Sequence, residues 1–271
     1  DREDCDLSNP EAIRALVARV QPHVIVNPAA HTAVDKAESE PELALAINAT
    51  APQIFAEEAA KIGAMLVHYS TDYVFDGTKD GWYCETDKPN PQSVYGKTKL
   101  AGELAIAAAN PRHLIFRTSW VFGAHGGNFL KTILRLAGER EELKIIADQH
   151  GAPTAASLLA DVTAHAVRQV LHIESANDSQ VSDLYGTYHL VAAGSTTWHG
   201  YAESVVERAK AADVPVKATQ ILPIPTSAYP LPAPRPANSQ LRTEKLQAAF
   251  GLCLPDWQDG VMQVMTLLSK K

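Results

Sequence analysis

The feature that most constrains the fold of this chain is the repeated alternation of short apolar segments with longer amphipathic ones. Residues 24–26 (VIV) and 65–70 (MLVHYS) are largely apolar over consecutive positions, which is typical of strands buried on both faces of a parallel sheet. The amphipathic segment 42–62 stops at Gly63, and glycine suits the left-handed position after a helix. Because strands that alternate with helices form right-handed βαβ units, the sequence predicts an α/β fold with a doubly wound parallel sheet.

The alternation continues to about residue 212 and is followed by a proline-rich segment. Further strands are predicted at 113–119, 143–146 and 187–192, and helices at 93–109, 128–139, 155–172, 198–212, 242–249 and 256–268. A capping pattern at 8–11 (SNPE) predicts a first helix capped by Ser8. Six prolines lie between Pro223 and Pro236, and proline does not fit inside a helix or a central strand. The apolar content of this segment predicts an ordered loop rather than a disordered linker.

Composition excludes several classes of protein. The 271 residues suffice for one large domain or two modest ones at about 150 residues each. The 24 basic and 31 acidic residues give a net charge of −7, the wrong sign for a dedicated nucleic-acid or membrane binder. The 3 cysteines are far apart and the 10 histidines form no metal-binding motif, so neither a disulfide framework nor a metal site is expected. No apolar run reaches the length of a membrane span, and a cytoplasmic location is expected.

Polar and small residues follow the predicted strands at the edge where ligands bind in open parallel sheets. Thr71 and Asp72 end the strand at 65–70, and Trp120 follows the strand at 113–119. Hydroxyl and carboxylate groups at such positions can contact a substrate carbonyl. Ala29 and Ala30 follow the strand at 24–26, where small side chains let a flat ligand approach the backbone.

A tyrosine and a lysine are spaced four residues apart at the start of the helix predicted at 93–109. Tyr95 and Lys99 share a helical face, so the lysine ammonium is expected to lie close to the phenol. A nearby cation favours the phenolate, so Lys99 is expected to lower the pKa of Tyr95. With Thr71 at a neighbouring strand end, the sequence predicts a proton donor, a group that tunes it and a group that polarises a carbonyl.

These residues, in this order, resemble the extended short-chain dehydrogenase/reductase family, and within it the dTDP-4-dehydrorhamnose reductases. The likeness lies in six blocks, which are VIVNPAAHTAVDKAESEPELA (24–44), STDYVFDGT (70–78), VYGKTKLAGE (94–103), FRTSWVFG (116–123), DQHGAPT (148–154) and RPANSQL (235–241). The resemblance implies a Rossmann-type sheet with a smaller C-terminal substrate domain. It also implies reduction of the 4-keto group of a dTDP-sugar by NADPH or NADH, giving dTDP-L-rhamnose.

The resemblance implies a role for each matching residue. Tyr95 would protonate the C4 oxygen, Lys99 would bind the nicotinamide ribose, and Thr71 would hydrogen-bond the keto oxygen. Asp72 and Trp120 would contact the sugar. The cofactor would be lined by Asp6, Leu7, Ala29, Ala30, Thr32, Tyr95 and Lys99. Arg235 is expected to bind the nucleotide diphosphate because a guanidinium suits a pyrophosphate, and His31 is a candidate partner of the cofactor-lining residues.

The chain departs from this family in two places. The family begins with a strand and a glycine-rich turn that holds the cofactor pyrophosphate, yet the first glycine here is Gly63. The glycines at 123–127 have the wrong spacing for that turn and are expected to form a plain loop. We therefore expect about 30 residues to be missing before Asp1, and NADPH to bind this polypeptide weakly in isothermal titration.

Relatives in which Mg²⁺ joins two subunits carry a glutamate where Ser157 stands, so a metal-bridged dimer is not expected, and a homodimer of another kind stays open.

The family comparison predicts two domains, with residues 1–148 and about 158–192 binding the dinucleotide and about 149–157 and 193–271 binding the substrate. Two other functions stay open. A related nucleotide-sugar epimerase or dehydratase would retain NAD and return the hydride, so it would consume no NADPH. A non-catalytic regulatory subunit of the same fold would bind a partner without turnover.

Overall fold

The computed structural model of the chain describes residues 4–176 and 179–269. Its helices are α1 (Pro10–Val20), α2 (Val34–Ser39), α3 (Pro41–Leu45), α4 (Ala51–Ile62), α5 (Val94–Ala109), α6 (Phe129–Glu139), α7 (Ala156–Ser175), α8 (Trp198–Ala211), α9 (Glu244–Phe250) and α10 (Trp257–Ser269). Its strands are β1 (Val24–Asn27), β2 (Met65–Thr71), β3 (His113–Thr118), β4 (Val121–Phe122), β5 (Glu142–Ile146), β6 (His150–Gly151), β7 (Thr154–Ala155), β8 (Gly186–His189), β9 (Thr196–Thr197) and β10 (Gln220–Ile224). None of the helices within these ranges combines the length and apolarity that a membrane crossing requires.

A parallel four-stranded sheet in the order β1-β2-β3-β8 forms the centre of the molecule. Apolar side chains of β2 and β3 are buried on both faces, as predicted, with α5 on one side and α7 on the other. The α/β fold of Rossmann type is therefore confirmed. The prediction that β1 is buried on both faces is wrong, because Val26 is 45% exposed. Within the described residues β1 pairs with β2 alone, so it forms an edge of the sheet.

The helix predicted over 42–62 is interrupted by a π-helical turn at 46–50, between α3 and α4. Asn48 in this turn is buried, and its side chain accepts a hydrogen bond from the backbone N–H of His31 (2.8 Å) and donates one to Thr98 (3.2 Å). A π turn adds one residue to a helical turn and therefore shifts the direction of its side chains. The distortion lets one amide reach both the loop after β1 and α5. The helix ends at Gly63, whose φ of 68° confirms the left-handed position.

The first residues of two helices are fixed by side chains that cap the helix N-terminus. The first helix is capped by Asn9, which accepts from the N–H groups of Glu11 and Ala12, so the prediction of Ser8 as the cap is wrong by one residue. Ser8 instead donates to the carboxylate of Asp6. The start of α5 is fixed by Ser93, whose hydroxyl accepts from Gly96 N–H at 3.1 Å.

A second apolar cluster combines elements from the middle of the chain with elements from its C-terminal part. Side chains of α6, β5, α8 and α10 pack together around the buried Tyr201 and Val261. Beside this cluster β10 pairs in parallel with β5, and Pro223 lies within β10 opposite Ile145. Proline is tolerated there because β10 has no second neighbouring strand among the described residues, so the missing N–H of the proline leaves no ladder hydrogen bond unmade on that side. The remainder of the proline-rich segment is an ordered loop, as predicted, and residues 123–128 form the plain loop between β4 and α6.

Candidate active site

The carboxyl end of β2 and the first two turns of α5 bring three predicted residues together. Thr71 is the last residue of β2, and its hydroxyl hydrogen-bonds the phenol of Tyr95 in the first turn of α5. Lys99, one turn later on the same helix face, donates to the carbonyl oxygen of Tyr69 at 2.6 Å. The side chains of Tyr95 and Lys99 therefore both meet the last three residues of one strand.

Lys99 is more deeply enclosed than its position in the sequence suggests, since it is only 1% exposed. Its amino nitrogen lies 2.9 Å from Nε2 of His68, which points from β2 toward α5. Burial lowers the pKa of Lys99 to about 8, and Glu103 one turn further along the helix acts in the opposite direction.

The expectation that Lys99 lowers the pKa of Tyr95 is wrong. The pKa of Tyr95 is raised to about 12, because burial disfavours the phenolate. The hydrogen bond with Thr71 lowers it, and the carboxylate of Asp72 raises it. Lys99 does not counteract this, because its amino group is directed to His68 and the Tyr69 carbonyl. Tyr95 is therefore held in its protonated form.

Asp72 joins the site to a distant part of the chain. Its carboxylate is 3% exposed and accepts hydrogen bonds from the hydroxyls of Thr71 (3.0 Å) and Ser239. Burial raises the pKa of Asp72 to about 6, although both hydroxyls lower it. Ser239 belongs to the segment 235–241 that the sequence comparison singled out. Sequence reasoning missed this contact, because no local pattern joins two residues that are 167 positions apart.

A cavity of about 550 Å³ lies near this site, although Thr71, Asp72, Tyr95 and Lys99 are not among its lining residues. Tyr73 lines it and packs edge-on against Tyr95, with the ring centroids 5.5 Å apart. Among the described residues its lining includes no aspartate or glutamate, and its basic side chains are Arg135, Arg140, Lys144 and Arg235. Sequence reasoning identified Arg235 only, since Arg135 on α6, Arg140 just after α6 and Lys144 on β5 approach the cavity through tertiary packing. A larger cavity of about 680 Å³ between α8 and the start of α10 contains none of the predicted site residues.

Arg235 lines the cavity but is held by another group in this structure. Its guanidinium forms an ion pair with Asp35 at 2.7 Å and donates to the carbonyl of Ala233. Because the side chain is only partly exposed, this pair fixes the guanidinium at the cavity wall.

Trp120 forms part of a stacked pair of indoles. Its ring lies 3.7 Å from that of Trp198, with the planes 16° apart, and Trp198 rather than Trp120 lines the cavity. Trp198 therefore both packs on Trp120 and lines the cavity. Trp120 has a φ of 48°, and Gly151 lies so close that an added Cβ would be 2.8 Å from the ring.

The residues predicted to line a cofactor occupy two loops. Asp6 and Leu7 precede α1, where Leu7 packs partly against the cluster of α1 and α4. Ala29, Ala30 and Thr32 follow β1, in a loop whose small side chains are partly or fully exposed. A flat ring can therefore approach this backbone, and the residues present fit a nicotinamide dinucleotide in this respect.

His31 in the same loop pairs with Glu40 through Nε2, and its buried Nδ1 has no hydrogen-bond partner among the described residues.

Ser157 donates to the side chain of Gln263 at 2.9 Å. Over residues 4–176 and 179–269, no group of three or more histidine, cysteine, aspartate or glutamate side chains is arranged to hold a metal ion.

Two buried residues beneath the site escaped the sequence analysis. His68 and Asn27 contact each other across β1 and β2, with Nδ1 of the histidine 3.2 Å from Nδ2 of the asparagine. The signal that the sequence offers for this contact is one polar residue in each of two otherwise apolar strands. A buried polar side chain requires a hydrogen-bond partner, and here the partners lie in the site itself.

Comparisons with known proteins show which family the chain resembles in sequence and fold. The model of the RmlD substrate binding domain family matches residues 1–269. A dTDP-4-dehydrorhamnose reductase of Salmonella typhimurium is 55% identical over 98% of this chain and 86% of its own length. One from Escherichia coli K12 is 54% identical over 97% of this chain and 85% of its own. The crystal structure of a dTDP-4-dehydrorhamnose reductase from Bacillus anthracis in complex with NADP is 34% identical, with a TM-score of 0.87 over 98% of this chain and 88% of that one.

Proposed function

Because the chain belongs to the family of dTDP-4-dehydrorhamnose reductases, we propose that it reduces the 4-keto group of dTDP-4-dehydrorhamnose to the hydroxyl of dTDP-L-rhamnose. The electron donor is NADPH or NADH, in keeping with the NADP held by the Bacillus anthracis relative. The observation that carries this proposal is the meeting of Thr71, Tyr95 and Lys99 at the carboxyl end of β2.

The reaction adds a hydride to C4 and a proton to the oxygen on that carbon. The nicotinamide supplies the hydride when it is bound. Tyr95 supplies the proton, for which its phenol must be protonated at neutral pH, and its raised pKa satisfies this condition. The hydroxyl of Thr71 hydrogen-bonds the keto oxygen and holds it against the phenol. Asp72 and Trp120 contact the sugar.

The cofactor is held by residues of the loop after β1 and by the pair on α5. We assign the nicotinamide ribose to Lys99 and the face of the ring to Ala29, Ala30 and Thr32. Asp6 and Leu7 flank the adenine. The exposed, small side chains after β1 support this assignment.

The cavity lined by Arg235 takes the nucleoside diphosphate. Its described lining holds four basic side chains and no acidic one, which favours an anion with two phosphate groups, and a phosphate would take the place of the Asp35 carboxylate on Arg235. The edge of Trp198 and the ring of Tyr229 supply apolar surfaces for the base and the sugar.

The experiment is an assay of NADPH oxidation by the protein as its gene encodes it, with dTDP-4-dehydrorhamnose as the substrate. We expect one NADPH consumed for each dTDP-L-rhamnose formed, identified by NMR. An epimerase or dehydratase would convert the substrate without net consumption of NADPH, and a regulatory subunit would show no turnover. Either result would refute the proposed reduction.

We further propose a cytoplasmic location. We also propose that the chain is divided into a dinucleotide-binding lobe, built on the four-stranded sheet, and a smaller C-terminal substrate lobe. The separate apolar clusters on β2 and β3 and around Tyr201 support two lobes. Light scattering of the purified protein will test the homodimer.

A further inference from the structure

Arg235 is the most enclosed of the four basic side chains that line the cavity near the site. Its side chain is 16% exposed, whereas Arg135, Arg140 and Lys144 are exposed to solvent. Charges attract each other more strongly where water is excluded, because water screens exposed pairs. Within this cavity, an anion therefore gains most from contact with Arg235.

A carboxylate of the chain already makes that contact. Oδ2 of Asp35 lies 2.7 Å from Nη2 of Arg235, and Oδ1 accepts a hydrogen bond from the backbone N–H of Ala233 at 3.2 Å. Asp35 lies in the first turn of α2, two hundred positions away in the sequence. A guanidinium binds a carboxylate and a phosphate through the same planar set of N–H donors. Asp35 therefore occupies donors that a phosphate group would use.

We propose that Asp35 is an internal competitor for Arg235, whose carboxylate holds the guanidinium until the diphosphate of the dTDP-sugar displaces it. This inference deepens the proposed function and rests on it, because it takes the cavity as the site of the nucleoside diphosphate. Asp35 would then set the affinity for the sugar nucleotide without contacting it.

The surroundings of Asp35 allow its carboxylate to leave. Its side chain is 37% exposed, so the released carboxylate is hydrated by solvent and no buried charge is left without a partner. Helix α2 keeps other anchors, since Ala37 is fully buried and Glu38 accepts from the backbone N–H of Val94 at 2.8 Å. Rotation of one side chain therefore suffices, and the helix stays in place.

A second carboxylate near Arg235 is already engaged elsewhere. Asp76 shares a small cavity of about 40 Å³ with Arg235. Its carboxylate accepts from the hydroxyl of Tyr83 and from the side-chain amide of Asn90, each at 2.9 Å. Asp35 is therefore the carboxylate that exchanges with a phosphate.

A competitor of this kind suits a reaction that leaves the diphosphate unchanged. The dTDP-sugar carries the same diphosphate before and after reduction at C4. A contact that is equally strong with substrate and transition state lowers KM without raising kcat, and it holds the product as firmly as the substrate. The return of Asp35 to Arg235 offsets part of this affinity and favours release of the product.

The competition can be measured by isothermal titration of dTDP into the protein as its gene encodes it. Asp35→Asn removes the charge and keeps an oxygen for the N–H of Ala233, and we expect it to lower the Kd of dTDP about 5-fold. Glu139→Gln is the matched control, because it removes a carboxylate from the exposed Arg135 of the same cavity and should change this Kd less than about 2-fold. Unchanged or weaker binding by Asp35→Asn would overturn the proposal, since Asp35 would then orient Arg235 for the ligand.

A double-mutant cycle tests whether the effect passes through the guanidinium. Arg235→Met keeps a side chain of similar length without the charge. In that background, Asp35→Asn should change the Kd of dTDP less than about 2-fold, because nothing is left to compete for. The full gain in the absence of Arg235 would reflect net charge alone and would refute the proposal.

Steady-state kinetics separates this inference from the proposed function. In Asp35→Asn, KM for dTDP-4-dehydrorhamnose and the inhibition constant of dTDP-L-rhamnose should fall by similar factors, and tighter substrate binding without tighter product binding would contradict the proposal. If the wild type reduces no ketosugar, the proposed function fails, while the titrations with dTDP still decide the role of Asp35. Failure of the wild type to bind dTDP would overturn the inference even if the reduction occurs.

Discussion

Arg117 on β3 and Glu103 on α5 form a buried ion pair, with Nη2 2.6 Å from Oε2, on the face of the helix that carries Tyr95 and Lys99. The three helical residues are spaced four apart and form one polar stripe against the sheet. Arg117 also lies over the ring of Phe75. The pair therefore fixes α5 to the sheet one turn beyond Lys99.

Removal of one partner from this pair should be costly, because it leaves a buried charge without compensation. We expect Glu103→Gln to lower the free energy of unfolding by about 3–5 kcal/mol, measured by urea denaturation. The exposed pair Arg135–Glu139 is a matched control, and Glu139→Gln should cost less than about 1 kcal/mol. The double replacement Glu103→Leu with Arg117→Met should cost less than Glu103→Gln, and a larger cost would contradict this account.

Loss of the phenolic hydroxyl at Tyr95 should abolish most of the activity. We expect Tyr95→Phe to lower kcat by about 100- to 10,000-fold with little effect on KM, because general acid catalysis supplies about that factor. Tyr69→Phe is the control, since its hydroxyl is directed to Thr163 on the opposite side of the sheet. Near-normal turnover in Tyr95→Phe would remove this residue as the proton donor.

Gly77 lies where the segment 235–241 crosses the loop after β2. Its φ is 75°, and an added Cβ would lie 2.5 Å from Cβ of Pro236. We expect Gly77→Ala to destabilise the protein and raise KM for the dTDP-sugar, because Arg235 and Ser239 flank the displaced residue. Gly81 has a φ of 84° with open space around it, so Gly81→Ala should show only the conformational cost of about 1–2 kcal/mol. Equal effects of the two substitutions, measured by thermal unfolding and steady-state kinetics, would refute the steric argument.

Buried neutral histidines predict a loss of stability in acid. Burial lowers the pKa of His189 to about 3, with Arg117 acting in the same direction. Between about pH 6.5 and 3 the unfolded chain therefore binds a proton that the folded chain excludes, and the free energy of unfolding falls by about 1.4 kcal/mol per pH unit. Asp72 acts oppositely between about pH 4 and 6, because its raised pKa makes the folded state bind the proton first. Urea midpoints from pH 7 to 4 should fall less steeply in His189→Leu than in the wild type, and identical slopes would argue against this origin.

The sheet and the grouping of three candidate site residues were predictable because their signals are local in sequence. Apolar runs marked β2 and β3, a four-residue spacing placed Tyr95 and Lys99 on one helix face, and Thr71 ended a strand. The structure contains each of these features because residues close together in the sequence are enough to determine it.

Other features depend on packing between distant segments and had no local signal. The direction of the Lys99 amino group follows from His68, the environment of Asp72 from Ser239, and the basic cavity wall from α6 and β5. The prediction about the Tyr95 pKa failed for the same reason. Helical spacing gives the distance between two side chains along a helix, but the other partners of a buried amine determine where it points.

The π turn at Asn48 has a mechanical consequence for catalysis. Gly102 of α5 lies so close to the Asn48 carbonyl that an added Cβ would overlap it. The side-chain amide of Asn48 also forms hydrogen bonds with the backbone N–H and C=O of His31. Helix α5, which carries the proposed acid Tyr95, and the loop after β1, to which we assign the nicotinamide, are thereby both held by Asn48. In the proposed reaction the proton and the hydride reach the same carbonyl from these two elements, so Asn48 would fix the orientation of one relative to the other.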